Sequence, residues 1–419
     1  MNYDDHPCFS AHGRHTAARV HLPVAPRCNM QCNYCVRDYA CVNESRPGVT
    51  STVLTPLQAA GYLDEVVKKI ENIKVVGIAG PGDPFANGEE TMETLRLVRE
   101  RHPDMMLCVA TNGLDLLPYI EELAWLAVSH VTVTVNAVDV EVGGRIYAWA
   151  RTGKRIYRHL DAARVIQRRQ IEAVSALKKN GITVKINTVV IPGVNDDHVA
   201  KVAKRMAEIG ADIHNCIPLY HVAGTAFEDI ASPTPEVMEA VRGHASAYMA
   251  QMSHCSRCRA DAAGMIGEAM SEEVAELLEK AARPVPSKAR PFVAVASMEG
   301  IFVNQHLGEA KGLWIYGIRD GVIDCLGWRG TPPPGGGADR WADLVDSLHD
   351  CGTVLASGIG PMPQYALERA GIRVVIMEGL AREGIDAVFS GKEIPRMLLR
   401  TPGRCGIGRQ CSGNGAGCG

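Results

Sequence analysis

The stretch between residues 19 and 220 constrains the fold most, because short apolar, β-branched runs alternate there with longer amphipathic ones. Runs at 19–25, 74–79, 106–111, 130–136, 183–191 and 213–220 have strand character, while 56–71, 89–101, 116–126, 160–179 and 196–209 carry helical periodicity. Apolar strands separated by helices predict a parallel sheet buried on both faces. Six such units fit an incomplete α/β barrel, a fold in which chemistry collects at the C-terminal ends of the strands.

Further along, a helix is expected over 235–252 and another helical stretch up to about 282. Two prolines among small and charged residues make 283–290 a linker. From 291 to about 400 a second, small α/β domain is expected, with strands at 293–296, 313–318, 354–356 and 374–377. The last segment, 401–419, is rich in Gly and Cys, cannot bury a core and is expected to be disordered. Residues 1–18 precede any periodic pattern and read as an extended arm, leaving 19–282 for the barrel and its extension.

Composition narrows the function. A net charge of −3 gives no general reason to expect nucleic acid or an anionic membrane as partner, and 5% aromatic residues argue against a base-stacking surface. No signal peptide and no bilayer-length apolar run is visible, so a cytoplasmic protein is expected. In that reducing compartment 14 cysteines are better explained as cluster ligands than as disulfides.

Cys28, Cys32 and Cys35 follow the first strand with the spacing Cys-x3-Cys-x2-Cys. Three such thiols can grip three corners of a four-iron four-sulfur cubane and leave its fourth iron open. S-adenosylmethionine (SAM) can chelate that iron, and an electron through the cluster can cleave the sulfonium to a deoxyadenosyl radical. The alternative is a zinc knuckle using Cys32 and Cys35, which would want a second nearby pair and leave Cys28 surplus. The spacing resembles that of the radical SAM superfamily. Gly80-Pro81-Gly82-Asp83-Pro84, after the second strand, resembles the segment whose backbone receives the SAM amino group in those proteins. Thr111-Asn112 ends the third strand and Thr134 to Asn136 the fourth; these can hold the SAM ribose or carboxylate, or equally cap the following loops. Ile191 ends the fifth strand and can pack on adenine or belong to a plain turn.

His6-Pro7-Cys8, the 28–35 motif, Cys41, the segment 43–48 and Cys255-x2-Cys258-Arg259-Ala260-Asp261-Ala262 together resemble the NifB family of radical SAM proteins, over about residues 4–270. Residues after about 290, including 303–310, resemble the NifX-type cofactor-binding domain, of ribonuclease H-like fold, that some members carry at their C-terminus. The resemblance implies an enzyme that fuses two further four-iron four-sulfur clusters around a SAM-derived carbide. Its product would be NifB-co, the precursor of the nitrogenase iron-molybdenum cofactor.

It further implies His21, Cys41 and Cys108 as ligands of one substrate cluster and Cys8, Cys255 and Cys258 as ligands of the other. Strand alternation points Cys108 the same way as Ala110, whereas His21 can equally be a core histidine and Cys216 reads as core. Glu44 and Arg46, beside Cys41, are candidates for catalysis, with Glu44 relaying a proton; a structural ion pair is the alternative. His306 can touch the product cluster or sit on the surface. Expected partners are iron-sulfur cluster donors, NifB-co carriers or acceptors, and reduced ferredoxin or flavodoxin as electron donor. Competing functions are a radical SAM maturase with auxiliary clusters and a non-enzymatic cluster scaffold or carrier.

Overall fold

A computed structural model of the chain describes residues 6–10, 12–36, 41, 52–252, 255, 258–282, 290–319, 322–390 and 394–400. Glu44 and Arg46, the tail 401–419 and all of the expected linker but Arg290 lie outside these residues. The chain divides into two compact units, Met1–Ala281 and Ala282–Gly419.

The first unit opens with α1 (Gly13–Thr16), β1 (Ala18–His21), β2 (Met30–Cys32), α2 (Pro56–Val66), β3 (Ile73–Ile78), α3 (Gly88–Arg101) and β4 (Met106–Thr111). It continues through α4 (Ile120–Trp125), β5 (Val128–Thr134), α5 (Val140–Ile146), β6 (Tyr147–Thr152), β7 (Arg155–Arg158), α6 (His159–Lys179) and β8 (Thr183–Val190). It ends with α7 (Val199–Glu208), β9 (Ile213–Pro218), α8 (Pro235–Ser246), β10 (Ala263–Gly264) and α9 (Glu272–Ala282). Six strands pair in parallel in the order β1-β3-β4-β5-β8-β9, and β10 adds to β1 antiparallel. Consecutive strands thus stay neighbours, as a curling half-barrel requires.

Local chemistry sets the boundaries. Thr55 and Gln58 form a capping box ahead of α2, with Pro56 in its first turn, and Thr234 with Pro235 does the same work without the box for α8. The long α6 buries Ala162, Ala163, Ile166, Gln170, Ala173, Val174 and Leu177 at helical spacing and stops at Asn180-Gly181, where Gly181 takes φ +73°. All seven residues of β5 are buried, the polar Ser129, His130, Thr132 and Thr134 along with the three valines, so both faces of the strand are covered.

The first strand stops at His21 rather than Ala25, because Pro23 has no N–H to donate. A small antiparallel sheet, β2-β6-β7, has no counterpart in the sequence reading. The arm also departs from expectation. His6 is fully buried, residues 7–9 form a turn, and the Phe9 and Ser10 N–H groups both donate to the His6 carbonyl at 3.0 Å. Among the described residues no helix is long and apolar enough to cross a membrane.

The second unit contains β11 (Phe292–Val295), β12 (Phe302–Val303), β13 (Gly312–Arg319), β14 (Val322–Gly330), α10 (Gly337–Ser347), β15 (Cys351–Ala356), α11 (Pro361–Arg369), β16 (Arg373–Ile376), β17 (Gly379–Leu380) and α12 (Ala381–Ser390). Its main sheet runs β14-β13-β11-β15-β16, antiparallel on one side of β11 and parallel on the other, the ribonuclease H-like order. Alternation along β11 splits the core. Ala294 packs with Trp341 and Leu344 on one face, and Val293 and Val295 with Ile385 and Val388 on the other.

Burial of one histidine gives the barrel a pH dependence. His214 on β9 is fully buried with Nε2 2.9 Å from Thr188 Oγ1, and burial lowers its pKa to about 4. An unfolded histidine titrates near 6.5, so between those values the unfolded chain takes up a proton that the folded one refuses. Its stabilisation is whole above about pH 6.5 and is lost as pH falls toward 4, on the order of 2 kcal/mol by pH 5. Urea transitions of apoprotein at about pH 7.5 and pH 5 check this. His214→Gln is expected to lose less stability across that interval than the parent chain.

Candidate active site

The loop carrying Cys28, Cys32 and Cys35 is stitched into the protein on its outer side. β2 pairs antiparallel with β6, Arg151 N–H donates to the Asn29 carbonyl (2.7 Å), and Asn33 N–H donates to that of Ile146 (2.8 Å). Gln31 Nε2 reaches back to the Cys35 carbonyl at 2.5 Å. Cys32 is buried in a core layer with Met30, Tyr34, Tyr147 and Ile191, against which Cys28 and Cys35 pack half-buried.

The Gly80–Asp83 segment lies along residues 25–27, immediately before the first thiol. Gly82 N–H donates to the Ala25 carbonyl (2.6 Å) and Asp83 N–H to that of Arg27 (2.7 Å). A Cβ on Gly82 would stand 2.1 Å from the Arg27 carbonyl oxygen, so only glycine lets the two backbones meet. Gly80 has φ +136°, again a glycine conformation. The Cys41 N–H donates to the Pro81 carbonyl at 2.8 Å.

Asp83 is buried and acts as the hub. Its carboxylate accepts from Phe85 N (2.9 Å), Asn112 N (2.6 Å) and Thr111 Oγ1 (2.9 Å). Burial raises its pKa, and these hydrogen bonds oppose the rise. Asn112 in turn donates from Nδ2 to Asn29 Oδ1 (2.7 Å) and toward Cys28 Sγ (3.8 Å). Asn136 donates to the Tyr34 hydroxyl (2.6 Å) and accepts from Val189 N (2.9 Å). Gln170 Nε2 bonds the Asn112 and Thr134 carbonyls at 2.8 Å each, and Ile191 is fully buried with its N–H on Asn195 Oδ1 (2.8 Å). These polar side chains therefore fix the loops at the C-terminal ends of β3, β4, β5 and β8 around the thiols.

Inside the half-barrel lies a partly open cavity lined by Cys8, His21, Cys108, Cys255, Cys258 and Lys185, among others. Every strand from β3 to β9 in the barrel contributes inward residues. Cys108 and Ala110 both line it, as the alternation of β4 requires, while Cys216 is buried elsewhere with Sγ 3.3 Å from Gln251 Oε1. Cys41 is not among the lining residues; its partner Pro81 lies two positions beyond Ala79, which is.

The arm brings Cys8 to this cavity by aromatic packing. The His6 ring lies 4.2 Å from that of His130 and 4.7 Å from Phe9, Phe9 lies 4.3 Å from His130, and Lys185 Nζ sits 4.8 Å above the Phe9 ring. Burial, reinforced by His130 and Lys185, holds the His6 pKa well below its ordinary value; burial and Lys185 bring His130 to about 4. Burial pushes the Cys8 thiol up to about 11 against the opposing pull of Lys185.

The His21 ring has room made for it and a defined tautomer. A Cβ on Gly77 would come within 2.9 Å of its ring, so glycine there makes room for it. Nδ1 lies 2.9 Å from the Arg259 carbonyl, which can only accept, so Nδ1 carries the proton and Nε2 keeps its lone pair. Burial, with help from the Arg19 cation, lowers its pKa to about 4 and keeps it neutral.

Among the described residues no three His, Cys, Asp or Glu side chains converge on a single ion. The cysteines that line the cavity are of the donor type that holds iron-sulfur clusters. Lys185 and Arg19 escaped the sequence reading. The signal was present in Thr183, Lys185 and Asn187, polar at alternate positions of a strand buried on both faces.

In the second unit His306 is half-buried, packed on Gly358, and its Nδ1 accepts from Gly308 N–H at 3.2 Å.

The parallel half-barrel and its cysteine loop define a radical SAM protein: the radical SAM superfamily model matches residues 22–206, and the dinitrogenase iron-molybdenum cofactor model matches 289–391. The FeMo cofactor biosynthesis protein NifB of Chlorobaculum tepidum is 51% identical over 422 residues, covering 100% of this chain and 99% of its own. Those of Klebsiella pneumoniae and Azotobacter vinelandii are 41% and 37% identical, each over 88% of this chain and over 86% and 84% of their own. The chain belongs to the NifB family, radical SAM proteins of FeMo cofactor biosynthesis. That membership implies a four-iron four-sulfur cluster and SAM.

Proposed function

We propose that this chain fuses two four-iron four-sulfur substrate clusters and inserts a SAM-derived carbon between them, yielding NifB-co. The observation that carries the reading is the single cavity on which Cys8, His21, Cys108, Cys255 and Cys258 converge. Cys28, Cys32 and Cys35 would hold the resident cluster, which when bound supplies the electron that cleaves the SAM sulfonium. The backbone of Gly80, Pro81 and Gly82 would receive the SAM amino group, and Asp83, Thr111, Asn112, Thr134, Asn136 and Ile191 would keep the surrounding loops in place. His21, Cys41 and Cys108 would bind one substrate cluster and Cys8, Cys255 and Cys258 the other, three to a cluster so that the product can leave.

Half-buried, neutral His21 and Cys8 suit this exchange: the imidazole offers its lone pair directly, while the thiol gives up its proton on ligation and recovers it on release. Glu44 and Arg46 retain their proposed place beside Cys41, with Glu44 as proton relay. The barrel spans 19–282 in this reading, behind the arm 1–18, and the 291–400 domain binds the product before a carrier accepts it. Cluster donors and reduced ferredoxin or flavodoxin complete the set of cytoplasmic partners.

The test uses the full-length chain, reconstituted without oxygen and given methyl-labelled SAM. Label is expected in an extractable cluster, from protein whose iron corresponds to three four-iron clusters. Cleavage of SAM with no methyl carbon entering the cluster would overturn the reading, and iron for one cluster would favour a simpler maturase or carrier.

A further inference from the structure

Arg19 lies two residues before His21 on β1, buried to 2% exposure. Its guanidinium is fixed by backbone carbonyls, Nη1 donating to Gly264 and to Met265 (2.8 Å), and this leaves Nη2 aimed at Cys258 Sγ, 2.9 Å away. Nε has no hydrogen-bond partner. An arginine placed only to tie β1 to β10 would need the two carbonyl bonds. The third contact delivers a permanent cation to one sulfur of the cavity wall, where the low dielectric makes a charge-assisted bond strong.

We propose that Arg19 is a positioning residue for the substrate cluster carried by Cys258, its guanidinium holding the sulfur by a hydrogen bond and withdrawing electron density from the iron that this sulfur ligates. The inference rests on the proposed role of Cys258. Hydrogen bonds to ligating sulfur raise the reduction potential of an iron-sulfur cluster and weaken the iron–thiolate bond. Arg19 therefore makes the cluster held by Cys258 easier to reduce and to detach than it would be without the guanidinium, which suits a substrate that has to be surrendered. Arg19 also balances the negative charge that a thiolate-bound cluster brings into a buried space.

The experiment reads cluster properties in the absence of SAM, so no turnover is involved. Full-length parent, Arg19→Met and Arg19→Lys proteins are reconstituted, and each cluster is followed by electron paramagnetic resonance during redox titration. In Arg19→Met the Cys258 cluster is expected to shift to a lower potential and to yield its iron to a chelator several-fold more slowly. The cluster on Cys28, Cys32 and Cys35 is expected to keep its potential, and Arg19→Lys to fall between.

Unchanged potentials in an Arg19→Met protein with parental iron content would refute the proposal. Should that variant not fold, pulsed resonance on parent protein labelled with nitrogen-15 in the arginine guanidinium decides: coupling to the reduced cluster supports the contact, and its absence removes it. Cys258→Ala separates the two layers. If it loses no iron, the ligand role of Cys258 fails along with the proposal; if it loses one cluster while Arg19→Met leaves potentials unmoved, only the proposal fails.

Discussion

Asp83→Ala is expected to destabilise the barrel by about 3–5 kcal/mol and to abolish SAM cleavage, although the proposed reading gives its carboxylate no contact with the reacting atoms. The substitution strands the Phe85 and Asn112 N–H groups and the Thr111 hydroxyl inside the protein. Each abandoned donor costs about 1–3 kcal/mol. Asn112 then loses its anchor, and with it the hold on Asn29 and the approach to Cys28. Urea denaturation of apoprotein measures the stability loss, while iron content and deoxyadenosine release after reconstitution measure the effect on the loop. A variant with parental stability and cleavage would show that the hub is dispensable.

Gly82→Ala is expected to cost about 3 kcal/mol or more and to lower occupancy of the thiol loop, because overpacking against backbone has no side chain to yield. The new methyl would meet the carbonyl oxygen of Arg27 at 2.1 Å and its carbon at 2.5 Å. Relief requires the two segments to part, which breaks the bonds from Gly82 to Ala25 and from Asp83 to Arg27. Gly61→Ala is the matched control. It lies in α2 with nothing within 4 Å of an added Cβ, so the same change should stabilise by about 0.5–1 kcal/mol. Thermal midpoints of the two variants are expected to move in opposite directions.

The barrel was legible because β-branched, largely apolar strands alternate with amphipathic helices; β4, apolar but for Thr111, falls on the expected residues 106–111. The β2-β6-β7 sheet was not, since β7 is largely exposed and β6 alternates only weakly, leaving pairing with a three-residue strand invisible in either segment alone. The thiols announced themselves through local spacing. The polar lining did not, because the meeting of Arg19 with Cys258 spans 239 positions along the chain and has no local signature. His6 was read as part of an extended arm rather than of the core: its burial comes from rings on β5 and on the arm itself, a tertiary effect that overrides the polar composition around it. In the second unit β14 escaped because it is exposed along most of its length, with no buried face to set an alternation.

The cavity wall begins at Cys8 and is not complete until Ile266. Ribosomes release the arm early and the late cysteine pair only after the sixth barrel strand, and domains assemble as units during synthesis. Until translation has passed that pair the nascent polypeptide offers no finished receptacle, so inorganic cargo can find a complete set of wall residues only once synthesis has gone beyond Ile266.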